Sequence, residues 1–273
     1  MWIDTHCHLD AHEFVAADGG PPGVGARAAG QGVSMIVIPA VERGNFAAVA
    51  QIAGTTPNAC YALGIHPMCV PQALDEDLEL LRDLAQASLA DPRFVAIGEV
   101  GLDYFIPQLC EPDMRVKQEK FFRAQLRIAR DLGLPVLTHV RRSQDQVLKH
   151  VRQITPPSGI AHAFNGSFQQ AQTFIDLGFH LGFGGAFTFT RALQIRRLAT
   201  QLPLSSIVME TDAPDIAPAW IHPARNSPEN LPAIGFALAA LRGMEPSEVA
   251  AVTTDNAAKA IPRLSLIAGQ SRI

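Results

Sequence analysis

The sequence predicts an α/β protein folded as a (β/α)8 TIM barrel, and three observations carry that prediction. The chain has 273 residues, which suits one large barrel of about 250 residues or two smaller domains. Eight short apolar, largely β-branched runs alternate with amphipathic stretches, the order expected of repeated βαβ units around a parallel sheet. No low-complexity tract, charged tail or linker divides the chain, so residues 1–273 read as a single domain. A doubly wound open sheet is the second architecture compatible with the same alternation.

The expected strands are Met1 to Asp4, Met35 to Ile38, Cys60 to Leu63, Val95 to Glu99, Pro135 to His139, Gly159 to His162, His180 to Gly182 and Ile207 to Glu210. Helical signals fill the gaps. Phe122, Leu126 and Ala129 form an apolar stripe that ends at Gly133 and Pro135. Val147, Val151 and Ile154 repeat the pattern, with Ser143 and Gln146 at capping-box spacing. Ser167 and Gln170 have the same spacing before a helix expected to stop near Gly178. Pro228 marks a further helix start.

Composition narrows the function. A hydrophobic fraction of 48% against 18% charged residues is that of a folded globular chain, not a disordered one. A net charge of -4 and a pI near 6.1 argue against a broad nucleic-acid surface, which needs many Lys and Arg on phosphates, so any nucleic-acid contact must be local. No apolar run approaches the roughly 18 to 20 residues of a membrane span, and the N-terminus has no signal-peptide pattern, so a soluble cytoplasmic protein is expected. Four scattered cysteines, Cys7, Cys60, Cys69 and Cys110, read as reduced and mostly packed thiols.

The chemistry lies at the strand ends. His6 and His8, one residue apart after the first strand, present both imidazoles to one side because side chains alternate along an extended chain. Alone this pair is a weak signal. Four later strands, however, end on or near Glu99, His139, His162 and Asp212, and in a barrel such ends converge on the face that bears active sites. Four imidazoles and two carboxylates exceed one tetrahedral zinc site and suit two divalent ions sharing a carboxylate.

The motifs Asp4-Thr5-His6-Cys7-His8, Gly64-Ile65-His66-Pro67, Gly98-Glu99-Val100-Gly101-Leu102-Asp103, His162-Ala163-Phe164-Asn165-Gly166 and Glu210-Thr211-Asp212-Ala213-Pro214 resemble, in order and spacing, those of the TatD family of metal-dependent hydrolases. The resemblance runs from Trp2 to about Leu264. It implies an amidohydrolase-type barrel, two divalent cations per subunit (Zn, Mn, Mg or Ni), and hydrolysis of phosphodiesters, several members being described as deoxyribonucleases or 3′ exonucleases. It further implies that His6, His8, Glu99 and Asp212 hold one metal and that His139 and His162 hold the second, with Glu99 bridging. Val140 stands where many relatives carry Ser, and Ala163-Phe164-Asn165-Gly166 differs from the commoner Cys-Phe-Ser/Thr-Gly; neither change touches a ligand, so they bear on substrate preference.

Other residues carry two readings each. His66 either donates to a substrate phosphate or braces its loop. Arg141 is a natural phosphate clamp, since guanidinium pairs bidentately with phosphate, or else a surface arginine. Arg225, in Arg225-Asn226-Ser227-Pro228, resembles a family element expected to shape the mouth of the site and to touch substrate. Asp103, placed in a Gly-rich turn, is a candidate to orient a ligand His, and Glu210 is a candidate for the same work. Cys7 points to the core, and His12, His150, His180 and His222 are expected to be exposed or satisfied.

The expected activity is therefore hydrolysis of a nucleic-acid 3′ end or another phosphate ester through a metal-activated water, with Asp212 and Glu99 as catalytic residues and Asp212 taking the water proton. A metal-dependent ester or amide hydrolase, such as a D-aminoacyl-tRNA deacylase, uses the same ligands on a carbonyl carbon. A non-catalytic barrel would have lost a ligand, and all six positions are filled. A monomer without membrane contact or obligate protein partner is expected.

Overall fold

The computed structural model describes residues 1–14 and 19–270. Among them, eight strands alternate with helices: β1 (Trp2–Asp4), α1 (Gly20–Gly30), β2 (Val33–Pro39), α2 (Phe46–Thr55), β3 (Ala59–Leu63), α3 (Asp75–Ser88), β4 (Phe94–Asp103), α4 (Pro112–Leu132), β5 (Val136–Arg141), α5 (Gln144–Ile154), β6 (Gly159–Ala161), α6 (Phe168–Asp176), β7 (Phe179–Phe183), α7 (Leu193–Gln201), β8 (Ile207–Met209), α8 (Leu231–Arg242), α9 (Pro246–Ala260) and α10 (Leu264–Gln270). The strands follow one another in sequence order, each parallel to the next. The architecture is a nearly closed (β/α)8 barrel, not the open sheet.

Closure falls to side chains as much as to the ladder. Between β8 and β1 the Thr5 N–H donates to the Met209 carbonyl at 3.1 Å. Buried Asp4 accepts the Thr211 N–H at 2.9 Å and the Thr211 hydroxyl at 2.6 Å. The residues of the first and last motifs thus pin the two ends of the sheet together just below the site.

Alternation divides each strand between two cores. Val37, Cys60, Ala62, Leu137, Ile160 and Val208 fill the barrel interior, together with Ile261, Leu264 and Ile267 from the C-terminal segment. That segment plugs the N-terminal end of the barrel. Arg263 fastens it by donating to the carbonyls of Phe94 (2.6 Å), Leu89 and Asp91. Ile36, Ile38, Phe122, Leu126 and Val147 face the other way, in the layer between sheet and helices.

Two expectations are corrected. Asp103 lies at the end of β4, not in a turn, because β4 continues past Glu99: a register shift against β5 falls between Ile97 and Val100, and Gly101 (φ 156°) passes so close to β5 that a Cβ there would lie 2.0 Å from the His139 carbonyl oxygen. Ser143 is the N-cap residue of α5 but forms no capping bond; its buried hydroxyl donates to the Leu102 carbonyl at 2.6 Å, tying the β5–α5 junction to β4. The Ser167–Gln170 capping box is formed as expected, and Gly178 follows α6 with φ 81°. Gly101→Ala is expected to lower stability by about 2 to 4 kcal/mol, since the methyl group meets backbone that cannot yield; thermal unfolding checks it, and an unchanged Tm would contradict this reading of β4.

Candidate metal centre

The inward faces of the strands deliver the ligand-type residues to the open end of the barrel. Leu137 lies in the interior core and His139 follows it by two residues; Ile160 and His162 stand in the same relation, as do Val208, Glu210 and Asp212. His66 shares the phase of Cys60 and Ala62 beyond β3. His6 and His8 lie just past β1, where the Cys7 N–H to the Val37 carbonyl (3.1 Å) and the His8 N–H to the Ala213 carbonyl (2.8 Å) keep the chain in line. Cys7 between them is fully buried in the core.

Glu99 is the hub. One carboxylate oxygen, Oε2, is 3.2 Å from His6 Nε2 and 3.6 Å from His8 Nε2. The other, Oε1, is 3.1 Å from His139 Nδ1 and 3.3 Å from both His162 Nε2 and His66 Nε2. Asp212 Oδ1 closes the first side at 3.6 Å from His6 Nε2 and from His8 Nε2. The structure therefore brings all six predicted ligands together around Glu99: His6, His8 and Asp212, and His6, Glu99 and His162, form sets whose ligand atoms lie within 4.8 Å of one another, and His139 joins through Glu99 in a third set with His66.

The residues behind the cluster decide which nitrogens are available. His139 has a carboxylate at each nitrogen, Asp103 Oδ2 at 3.0 Å from Nε2 and Glu99 Oε1 at 3.1 Å from Nδ1, and against the effect of burial the hydrogen bonds to both raise its pKa; a cation between Nδ1 and Glu99 would take the place of the Nδ1 proton and leave the other on Nε2, facing Asp103. This is the orienting role anticipated for Asp103, whose Oδ1 also accepts the N–H groups of Phe105 and Ile106. His162 Nδ1 faces Glu210 Oε1 at 3.6 Å, an oxygen that also accepts the Ala163 N–H. Glu210 fits only because residue 182 is glycine, where a Cβ would lie 2.0 Å from Glu210 Oε2. His66 differs. Its Nδ1 accepts the Met68 N–H at 3.1 Å, which assigns the proton of the neutral ring to Nε2. Although His66, Glu99 and His139 also form a ligand-like group, His66 thus offers Glu99 a donor and not a lone pair.

Electrostatics follow from burial and from this packing. Burial works against the Glu99 carboxylate, yet the surrounding imidazoles of His66, His6 and His162 hold it well below its ordinary range. Burial, reinforced by charge on His162, pushes His6 down to about 3. Burial would also lower His162, but the charges of Glu99 and Asp212 raise it well above its ordinary value. Burial lifts the Asp212 carboxyl to about 6. His6 and His162 stack with ring centres 3.9 Å apart, so the two rings are not both protonated, and the charge of Glu99 and Asp212 is left for a cation to balance. The donor set fits divalent cations on both counts: imidazole nitrogens converge on shared carboxylate oxygens, and His6 and His8 turn their Nε2 atoms toward each other at 3.3 Å, an arrangement a cation satisfies and two neutral rings satisfy only through one proton.

Two non-glycine residues at the cluster hold positive φ, Ala163 at 44° and Asp212 at 55°, a conformation that costs about 1 kcal/mol or more each. The Asp212 N–H donates to the His6 carbonyl at 2.8 Å, so the strained residue is fixed to the segment that carries its neighbours in the cluster.

The cluster forms the floor of a cleft of about 1370 Å3. His66 and Arg141 line it. Arg225 is not among the described residues that line it; it is exposed, with its guanidinium carbon 4.7 Å from the centre of the Phe14 ring. The neighbouring Asn226 does the shaping instead, donating from its side-chain amide to the Thr211 carbonyl (2.9 Å) and from its backbone N–H to the Pro214 carbonyl (2.8 Å). Asn226 and the Asp4–Thr211 clip were not singled out from sequence, although each lies within a quoted motif. His150 is satisfied by Glu119 at 2.9 Å, and His12 and His222 are exposed.

Residues 3–262 match the family described as TatD related DNase. The chain belongs to the TatD family. Among TatD relatives, the Escherichia coli metal-dependent hydrolase YjjV is 36% identical over 256 residues, covering 93% of this chain and 95% of YjjV. A metal-dependent hydrolase of Haemophilus influenzae is 34% identical over 260 residues, covering 94% of this chain and 97% of its own length. The crystal structure of YjjV, a TatD homologue, superposes with a TM-score of 0.88 at 34% identity, covering 96% of this chain and 98% of that one.

The Asp103 contact yields a test within the TatD site. Asp103→Asn keeps an oxygen for the Phe105 and Ile106 N–H groups, but an amide N–H facing His139 Nε2 drives the imidazole proton to Nδ1, the nitrogen needed for a metal. Zn affinity at the His139 side is expected to fall about 10- to 100-fold, measured by competition with a chelating dye. Unchanged affinity would contradict the assigned tautomer.

Proposed function

We propose that the chain is a divalent-metal-dependent phosphodiesterase that hydrolyses DNA from a 3′ end, working as a monomer because one chain supplies every ligand. The observation that carries this reading is Glu99, with one oxygen toward His6 and His8 and the other toward His139 and His162, which is the arrangement of a carboxylate shared by two cations. In this reading His6, His8, Glu99 and Asp212 hold one cation, and Glu99, His139 and His162 hold the other. The mixture of imidazole and carboxylate suits Zn, Mn or Ni, and Mg where it is more abundant. Two such ions supply Lewis acidity, lowering the pKa of an attacking water and polarising the phosphoryl group.

The chain's own groups then divide the work. Asp212, whose carboxylate lines the cleft beside His6 and His8, accepts the proton of the attacking water. His66 Nε2–H, set as a donor by Met68 and directed at Glu99, lines the cleft and would exchange Glu99 for a phosphoryl oxygen when substrate binds. Arg141, 48% exposed at the side of the cleft, holds the substrate's phosphate charge. Asp103 and Glu210 keep His139 and His162 in place.

Side-by-side assays with a 3′-labelled single-stranded oligonucleotide and a D-aminoacyl-tRNA, each with Zn, Mn, Ni and Mg, test the proposal. Release of 5′-mononucleotides from the labelled end is the expected result. Turnover of the carbonyl ester alone would replace it with an ester hydrolase, and turnover of neither, at full metal loading, would reject both.

A further inference from the structure

Beyond the ligand cluster, positive charge in the cleft is concentrated where β5 ends. Arg141 and Arg142 are both exposed, and their guanidinium carbons lie 3.9 Å and 4.6 Å from the centre of the Phe105 ring. On a regular strand adjacent side chains would point to opposite sides. Arg142 instead has φ 54°, and this left-handed turn lets both arginines reach one ring. Phe105 is 43% exposed and lines the cleft with them.

Neither guanidinium makes a short ion pair. The carboxylate near Arg141 is Asp103 Oδ2, at 3.9 Å from Nη1, and that oxygen already accepts His139 Nε2 at 3.0 Å. Arg142 makes no ion pair among the described residues; its contact is the Phe105 ring. The N-terminus of α5 follows immediately, and because the Ser143 hydroxyl is committed to Leu102 it carries no side-chain cap, which adds the positive end of a helix to the same corner. The facing wall is opposite in sign: Asp10, Glu13 and Asp215 line the same cleft. A polyanion crossing the cluster is repelled from that wall and confined to the arginine side.

Spacing gives the pair its role. Arg141 stands two residues beyond His139 on β5, about 6.6 Å further along the strand, comparable with the separation of successive phosphates on an extended single strand. We infer that Arg141 and Arg142, held by Phe105, form a second phosphate subsite that binds the phosphate next to the one at the His–carboxylate cluster, so that the site selects oligonucleotides over isolated phosphate esters. The inference rests on the phosphodiesterase reading and narrows its substrate. Arg142 and Phe105 join Arg141 as specificity residues, Phe105 as a positioning residue.

The test is calorimetric binding of thymidine 5′-monophosphate and thymidine 3′,5′-bisphosphate to the metal-loaded protein at one fixed salt concentration. In the wild type the second phosphate is expected to tighten binding about tenfold or more, the effect of a charged contact. In Arg142→Ala that gain is expected to fall below about threefold, with Arg142→Lys between the two because it keeps charge without the guanidinium fork. Arg142 is exposed, and metal content with thermal unfolding verifies that the variants are folded. Equal binding of the two nucleotides by the wild type, no measurable binding of either, or a full gain retained in Arg142→Ala would overturn the subsite. Hydrolysis of the labelled oligonucleotide judges the phosphodiesterase reading separately: a bisphosphate gain without hydrolysis rejects that reading and keeps the subsite, and hydrolysis without the gain does the reverse.

Discussion

Asp212→Asn is expected to lower kcat by about two to four orders of magnitude, the usual contribution of a positioned general base. The substitution separates chemistry from assembly. An amide oxygen can still approach a cation, but an amide cannot take a proton at neutral pH, and the backbone role of residue 212, its N–H to the His6 carbonyl, is unchanged. Asn also tolerates the positive φ that the position requires. Steady-state rates on a 3′-labelled oligonucleotide, with metal content measured on the same sample, decide the matter. If the variant keeps both its metal and near-wild-type turnover, Asp212 is not the base.

Glu99→Ala has the other large effect, through a different route. Its two oxygens face five imidazoles, with His6 and His8 on one side and His66, His139 and His162 on the other, so its removal deprives both halves of the centre at once. Bound divalent metal is expected to fall from about two ions per chain to below one, and hydrolysis to the uncatalysed background. His6→Ala, by contrast, removes a ligand from one side and leaves His139 and His162 facing Glu99. Plasma emission analysis of the two variants checks the asymmetry; a fully loaded Glu99→Ala protein would contradict the bridging role.

The parts of this arrangement that were legible in the sequence are those governed by strand period. Eight β-branched runs predict eight strands, and residues two or four positions beyond an interior residue must emerge at the open end, which is how His139, His162 and Asp212 could be placed without coordinates. What depended on departures from regularity was not legible. The extension of β4 through Gly101 carries Asp103 to His139, and no periodic pattern announces it. Ser143 has the spacing of a cap, yet Leu102 competes for its hydroxyl. In the Arg225-Asn226 pair the charged residue drew the functional reading, while buried Asn226 does the work through backbone carbonyls. Arg142 and Phe105 are distant in sequence and meet only because the chain turns left-handed after β5.

The positions of bound divalent ions distinguish a shared centre from a single site. Crystals of the protein loaded with Mn or Zn, measured for anomalous scattering, should show two peaks about 3.5 to 4 Å apart, on either side of Glu99, one about 2.0 to 2.2 Å from the Nε2 atoms of His6 and His8 and the other at that distance from His139 Nδ1 and His162 Nε2. A single peak, a peak bound through His66 Nε2, or two peaks that do not share Glu99 would contradict the shared centre.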